Sequence, residues 1–382
     1  MKRGAHDSGR AVAVLFDADL DYATSVYQGV QEHFAGATGW PVLPLAPGNE
    51  AALAALFAAG SLRGIIGPFV SDKWIRDHGF DRIPLVNIAN LSDIRTVDAV
   101  VPDDREAGRM VARAFLESGL RHFGFAGVSG IFHSRLRREG FEEALQVAGA
   151  MASCAPSVGS AGAIAVWRPW LESLSRPAGV YGATDYHARL VLTACRELGR
   201  QVPDEVAVVG TGNALMQGLF AGMTLSSVEL PGRPVGREAA RQLQSRIEGT
   251  YHGPPVRRWI PPVRVLHRES SACCLGADPV VARASTYIRA RLAEPLDVGR
   301  VARGIGVSRR LLELRFQSTL KRSPYREILR LRMEQASYLL SNTPMKVLEV
   351  GMACGFPEPH HFSAVFRRWH GTPPGASRNQ PA

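Results

Sequence analysis

Through the first 267 residues, short apolar runs alternate with stretches whose apolar residues recur every three or four positions. The runs Ala11–Phe16, Val42–Leu45, Gly64–Ile66, Leu85–Ile88, His122–Ala126, Ala163–Val166, Gly179–Tyr181 and Val206–Val209 predict strands. Helices are predicted between them, at Tyr22–Phe34, Arg105–Ser118, Arg138–Val147, His187–Leu198 and Val235–Ile247. Short apolar strands separated by amphipathic helices indicate a parallel sheet buried on both faces. Two such units, with the chain crossing between them and returning, form a two-lobed α/β domain. Its cleft lies at the carboxyl ends of the strands.

After residue 278 the pattern becomes purely helical. Helices are predicted over Pro279–Leu292, Leu296–Gly306, Ser308–Leu320, Tyr325–Leu340, Lys346–Ala353 and Pro359–His370. Gly306 and the N-cap Ser308 mark one helix-turn-helix unit, and the turn at Gly355-Phe356 marks a second. The last helix keeps Phe362, Val365, Phe366 and Trp369 on its inner face and leaves Ser363, Arg367 and Arg368 outside. An apolar face that fixes a helix to a scaffold while polar side chains enter a groove is the pattern of a DNA-reading helix. Arg268–Asp278, polar and rich in small residues, reads as a linker. The expected organisation is a disordered stretch over 1–10, a ligand-binding domain over 11–267, a linker over 268–278 and a DNA-binding domain over 279–378.

Charge supports this division. From Arg268 onward there are 18 Lys and Arg against 9 Asp and Glu, out of 45 and 35 in the whole chain. The residues ahead of Arg268 are almost neutral, so +9 of the net charge of +10 lies from Arg268 onward. A basic module at one end of a balanced chain points to a polyanion partner.

The chemistry of the front part argues for binding rather than catalysis. Gly210-Thr211-Gly212 follows a strand, but Leu215 stands where a dinucleotide fingerprint needs its third glycine. There is no GxSxG elbow, P-loop or HExxH, and no cofactor is expected. The five cysteines form no CxxC pair, so free thiols are expected rather than a zinc site or a disulfide framework. No apolar run is long enough to span a bilayer, the first ten residues lack a signal-peptide core, and a cytoplasmic location without a membrane partner is expected. Asp17 and Asp19 follow the first strand, where carboxylates can accept hydrogen bonds from sugar hydroxyls or simply serve a loop or helix cap. Tyr22, Phe69, Phe132 and Trp167 are aromatic candidates for stacking on a sugar face.

Several strings carry a family resemblance. Val101-Pro102-Asp103-Asp104-Arg105-Glu106-Ala107-Gly108, Arg137-Arg138-Glu139-Gly140-Phe141, Val202–Gly210 (VPDEVAVVG) and Leu225-Ser226-Ser227-Val228 resemble the LacI/GalR-type regulators, whose core is of the periplasmic-binding-protein kind. The resemblance runs through residues 11–267, without that family's amino-terminal DNA-binding headpiece. It implies a sugar or purine between the lobes, with Arg137 gripping a ligand hydroxyl or carboxylate. Alternatively, Arg137 belongs to an exposed basic run, Arg135-Leu136-Arg137-Arg138. Asp185 lines the cleft by the same resemblance, or caps the next helix. Gly212 stands where the family has a ligand-binding aspartate, which leaves Asn213 as the nearby polar group.

In the helical part GVSRRLLELRF, RLRMEQASYLL, the Gly355-Phe356 turn and FRRWHGTPP are similar to the AraC/XylS family over Pro279–Arg378. By position, the first recognition helix presents Ser308, Arg309, Arg310, Glu313 and Leu314. Arginine suits bidentate contact with guanine and glutamate accepts from cytosine, whereas Leu314 departs from the usual polar residue. The second presents Pro359, His360 and Ser363 to bases, with Arg367 and Arg368 on phosphates. Together the resemblances imply a transcriptional regulator, an activator, that binds an operator in double-stranded DNA. It would respond to a small sugar such as xylose or another pentose, form a homodimer and work with RNA polymerase. A front half that only dimerises, its sugar pocket lost, is the alternative, and an enzyme fused to a DNA-binding domain is a third reading.

Overall fold

The computed structural model describes residues 10–17, 21–46, 48–157, 162–271, 278–289, 291–343 and 345–377. The segment expected to be disordered, apart from Arg10, and linker residues 272–277 lie outside the described residues. Lobe one begins with β1 (Ala11–Leu15), α1 (Asp21–Ala37), β2 (Val42–Leu45), α2 (Glu50–Ala58), β3 (Leu62–Gly67), α3 (Asp72–Asp77), β4 (Leu85–Asn87) and β5 (Asp98–Pro102). The chain crosses at Asp103 into lobe two. That lobe runs α4 (Asp104–Glu117), β6 (His122–Ala126), α5 (Phe132–Val147), β7 (Ala152–Cys154), α6 (Ala163–Ser173), β8 (Ala178–Gly182), α7 (Asp185–Glu197), β9 (Val206–Thr211), α8 (Leu215–Ala221) and β10 (Ser226–Glu229). It returns through α9 (Gly232–Ile247) and β11 (Arg257–Ile260) to lobe one, then ends in lobe two with β12 (Arg264–Leu266).

The two sheets have orders β11-β5-β4-β3-β1-β2 and β12-β10-β9-β8-β6-β7. Every pairing is parallel except β10 with β12. Both sheets are covered on two sides, which explains strands such as AVAVL and VAVVGT that are apolar at almost every position. The doubly wound expectation is met, with one exception. Ala163–Val166, expected as a strand, opens α6. Its four apolar residues continue as Trp167, Trp170 and Leu171, all buried, and this helical period overrides the local β-branched run.

In each lobe one helix pair packs at very short range through glycines. Gly29 and Gly236 join α1 to α9, and Gly108 and Gly140 join α4 to α5. A Cβ on Gly140 would enter the Arg105 carbonyl, and one on Gly108 the Arg137 carbonyl.

The helical domain comprises α10 (Pro279–Arg289), α11 (Val298–Gly304), α12 (Arg309–Leu320), α13 (Pro324–Asn342), α14 (Val347–Ala353), α15 (Pro359–His370) and α16 (Pro374–Ser377). Helices α11 and α12 form one helix-turn-helix with Val301, Leu312, Phe316 and Ile328 in its core. Helices α14 and α15 form the other around Met333, Val350, Phe356, Phe362 and Phe366. The long α13 supplies both cores. Its Arg332 donates to the Leu292 carbonyl at 3.2 Å and the Glu294 carbonyl at 2.6 Å, while its guanidinium lies 5.3 Å from the Phe356 ring centroid. Gly355 needs its positive φ of 77° there, and a side chain would strike Leu292 and Arg332. Trp369, expected on the inner face, is 40% exposed. Phe366 and His370, whose rings approach to 4.4 Å, close that end of the helix instead.

Gly140→Ala should test the glycine seam. Overpacking of a core contact costs about 1–3 kcal/mol, so its melting temperature should fall by several degrees, at roughly 2–4 °C per kcal/mol. An unchanged transition in calorimetry would mean that α4 and α5 separate without penalty.

Candidate functional site

The joint between the lobes, at the base of the expected cleft, is organised around one buried ion pair. Asp104 begins α4 immediately after the first crossover, and Arg137 lies one helix later on α5. Arg137 Nε donates to Asp104 Oδ1 at 2.7 Å and Nη2 lies 2.6 Å from the same oxygen. Arg137 Nη1 donates to the Ala183 carbonyl at 2.5 Å, past the end of β8. Asn90, from lobe one, donates to Asp104 Oδ2 at 2.7 Å and to the Pro102 carbonyl at 3.2 Å. Both charged side chains are almost wholly buried, at 7% and 2% exposed. Burial pushes the Asp104 carboxyl upward against the opposing Arg137 charge. Burial pulls the Arg137 guanidinium down, but Asp104 more than offsets it, so Arg137 stays a cation. The exposed-run reading of Arg137 is thereby excluded. Its charge is already met from within the protein.

Two histidines share this environment. Burial pulls His133 down to about 3 and His187 to about 4, and the Arg137 charge acts on both in the same direction. Both are therefore neutral near pH 7. His187 Nδ1 lies 2.8 Å from Thr184 Oγ1, the N-cap of α7. Tyr22 donates its hydroxyl to the Ile88 carbonyl at 3.1 Å, and burial, then Asp104, raise its phenol. The lobes also touch through backbone: the Phe132 and His133 amides donate to the Leu91 and Asn90 carbonyls at 3.2 and 2.7 Å.

The other expected ligand residues are placed as follows. Asp185, 2% exposed, accepts from Ser227 Oγ and from the Ala214 amide, both at 2.6 Å. It braces the loop after β9 as well as beginning α7. Burial, opposed by these bonds and by Arg268 and Arg137, pushes its carboxyl up to about 6. A Cβ on Gly210 would lie 2.2 Å from Asp185 Oδ1, and Gly212 holds a positive φ of 124°, which rationalises glycine at both positions. Asn213 turns its side-chain oxygen to Arg268 Nη2, at 2.5 Å. Phe69 and Trp167 are packed into the cores of lobes one and two. Phe132 lies under Arg135 and Arg257 beside Trp259, in a groove of about 780 Å³ on a different face of α5 from Arg137. Asp17 is half-buried after β1, and Asp19 lies outside the described residues. Sequence reading missed Asp104, Asn90, His133, His187 and Arg268, although the quoted VPDDREAG string contains Asp104.

On the helical domain, Arg309, Arg310, His360, Arg367 and Arg368 are exposed, and Ser363 is half-buried. Ser308 caps α12, accepting from the Leu311 amide at 3.1 Å. Arg309 Nε donates to Glu313 Oε1 at 2.9 Å, one turn along, which leaves Arg310 as the less committed cation of that helix. Leu314 is 64% exposed. Pro359 begins α15, and its side chain lies outside what is described. Among the described residues no group of three or more His, Cys, Asp or Glu could hold a metal, and no helix is long and apolar enough to cross a membrane.

Two substitutions probe the cleft. Arg137→Ala strands a buried carboxylate, and breaking such a pair costs about 3–5 kcal/mol. Denaturant unfolding should register a loss of that order. For Asp185, the folded pKa of about 6 exceeds the ordinary 3.8. The folded state therefore holds the proton more tightly, and this group's stabilisation falls as pH rises between those values. The melting temperature of Asp185→Asn relative to the unsubstituted protein should climb by a few degrees from pH 4 to 7, then level off. A difference independent of pH would refute the assignment.

Residues 112–271 match the periplasmic binding protein-like domain family and residues 301–380 a helix-turn-helix domain family. The xylose operon regulatory protein of Escherichia coli strain K12 is 32% identical over 210 residues, 55% of this chain and 53% of that protein. The Haemophilus influenzae protein of the same name is 34% identical over 201 residues, 52% of this chain and 51% of its own. The chain thus spans about half the length of the curated relatives it matches. A solved xylose-binding transcription activator aligns with a TM-score of 0.58 at 24% identity, covering 97% of both chains, and so shares the fold throughout. The chain thus joins a periplasmic binding protein-like domain to a helix-turn-helix domain, each shown by its own family match.

Proposed function

We propose that the protein is a sequence-specific DNA-binding transcriptional regulator, an activator, whose two-lobed domain senses a small neutral sugar, with a pentose such as xylose the first choice. The single observation that carries this reading is that one chain joins a cleft built around a neutralised arginine to two helix-turn-helix units with exposed arginines. An anionic effector would gain little from Arg137, because Asp104 already balances it. Neutral His187 spends Nδ1 on Thr184 and has Nε2 to offer a hydroxyl, and neutral His133 adds a second uncharged imidazole, which suits a polyol. The named relatives regulate a xylose operon or bind xylose, which supports the same choice. The effector acts only through its differential affinity for two arrangements of the lobes. A homodimer engaging RNA polymerase beside its operator completes the proposal.

The satisfied states of Arg137, Asp185 and Asn213 favour a second reading, in which the front domain is a dimerisation scaffold without a working sugar pocket. Thermal shift separates the two, because a ligand at 100 times its Kd stabilises by about 2.7 kcal/mol. D-xylose or another pentose should raise the first transition, and silence across a sugar panel would leave the scaffold reading. For the DNA side, binding to a fragment from upstream of the protein's own gene should weaken steeply with salt. Arg367→Ala should weaken it on every sequence and flatten the salt slope by about 1, whereas Arg310→Ala should relax discrimination by about 1–3 kcal/mol at one base pair. Salt-independent binding would exclude the helical domain as the DNA contact.

A further inference from the structure

The chain leaving lobe two remains tied to it well past β12. Arg268 donates its amide to Ser226 Oγ at 2.7 Å and Nη1 to the Leu225 carbonyl at 2.6 Å. Glu269 accepts from the Thr224 amide at 2.6 Å. Ser270 Oγ donates to the Val208 carbonyl at 2.7 Å and accepts from the Ser226 amide at 2.8 Å. Ser271 Oγ lies 2.8 Å from Ser226 Oγ, and both serines are fully buried. This strap is the root of the connection to α10.

One side chain reaches from the strap back toward the cleft. Arg268 Nη2 meets the side-chain oxygen of Asn213, in the loop after β9. Asn213 holds a left-handed backbone with φ 59°, and its amide donates to Ser227 Oγ at 2.9 Å. Ser227 donates onward to Asp185, which also holds the Ala214 amide. Asp185 begins α7, whose His187 lies beside Arg137. A continuous set of bonds therefore runs from Asp185 through Ser227 and Asn213 to Arg268, and from Arg268 into the strap. A planar guanidinium is suited to this place, because it satisfies the Leu225 carbonyl and the Asn213 amide group at once.

We infer that Arg268 is the positioning residue that couples the β9–α8 loop at the cleft to the root of the DNA-binding domain. A change in the 212–214 loop pulls on Asn213, and Arg268 passes it to residues 268–271, the last of the sensing domain before the helices. On the other side, Arg264 bonds Glu229 at 3.0 Å and Gln335 of α13 at 3.2 Å, so the helical domain is held at a second point while the strap moves. This inference gives the proposed regulator its transmission step and rests on that reading for its purpose, but its physical content can be tested without any effector.

Hydrogen–deuterium exchange on the full chain provides the test. Arg268→Ala should raise exchange about fivefold or more both in the strap and in the 212–217 segment, with β6 and β8 unchanged. The converse variant, Asn213→Gly, keeps the left-handed backbone open and removes only the amide side chain. It should raise exchange in the strap, and it keeps the inference testable if Arg268→Ala fails to fold. Arg268→Lys, whose single nitrogen replaces the two that meet the Leu225 carbonyl and Asn213, should behave as the alanine variant does. Faster exchange confined to the strap in Arg268→Ala, or to the loop in Asn213→Gly, overturns the coupling. The sugar panel is a separate arm: absence of stabilisation of the unsubstituted protein by D-xylose and every other sugar refutes sugar sensing, whereas the exchange linkage stands or falls on its own.

Discussion

Two opposite charges buried at the joint between the lobes set the terms for everything around them. Taken out of water, Asp104 and Arg137 are tolerable only while each has its remaining hydrogen-bonding capacity filled. Asn90 does this from lobe one, the Ala183 carbonyl from the end of β8, and the two charges for each other. The pair thereby fixes the start of α4, one face of α5 and the approach of the lobe-one loop that follows β4. It also bears on the protonation of its neighbours: burial first, and then the permanent Arg137 cation, keep the His133 and His187 rings neutral. The cleft is thus polar but carries little net charge at its centre.

Such an arrangement needs rigid supports, and each lobe has one. Glycine seams between α1 and α9 and between α4 and α5 bring helix backbones into contact, so these pairs move as units. Motion in the two-lobed domain is then confined to the three places where the chain crosses: Asp103, the Leu230–Pro231 turn and the Pro261–Pro262 step. From the last of these, β12 runs antiparallel along β10 and carries the chain to the strap at the opposite end of that strand.

How much of this was readable in the chain depends on how far apart the interacting residues lie. The alternation of strands and helices, the two helix-turn-helix units and their cores were legible, because periodicity and caps are local properties. Ala163–Val166 misled because a four-residue window cannot distinguish a buried strand from a helix whose period appears only at Trp170 and Leu171. Trp369 misled for the opposite reason: its spacing is right, but His370 and Phe366 close the end of the helix. In the cleft, Arg137 and Asp185 were singled out as ligand groups, whereas their partners were not foreseeable. Asp104 lies 33 positions before Arg137, and Ser227 lies 42 after Asp185. No local pattern shows that a polar side chain is already satisfied by so distant a residue.

Under the proposed DNA-binding role, Arg332 has a consequence for the nucleic acid as much as for the protein. By holding the Leu292 and Glu294 carbonyls while covering Phe356, it welds the two helix-turn-helix units to one another through α13. Their recognition helices then form a gauge of fixed length. A duplex that engages both must present its two grooves at that separation and phase, and any mismatch has to be taken up by bending or twisting the DNA. Part of the selectivity of such a domain therefore resides in the stiffness of base-pair steps that neither helix touches.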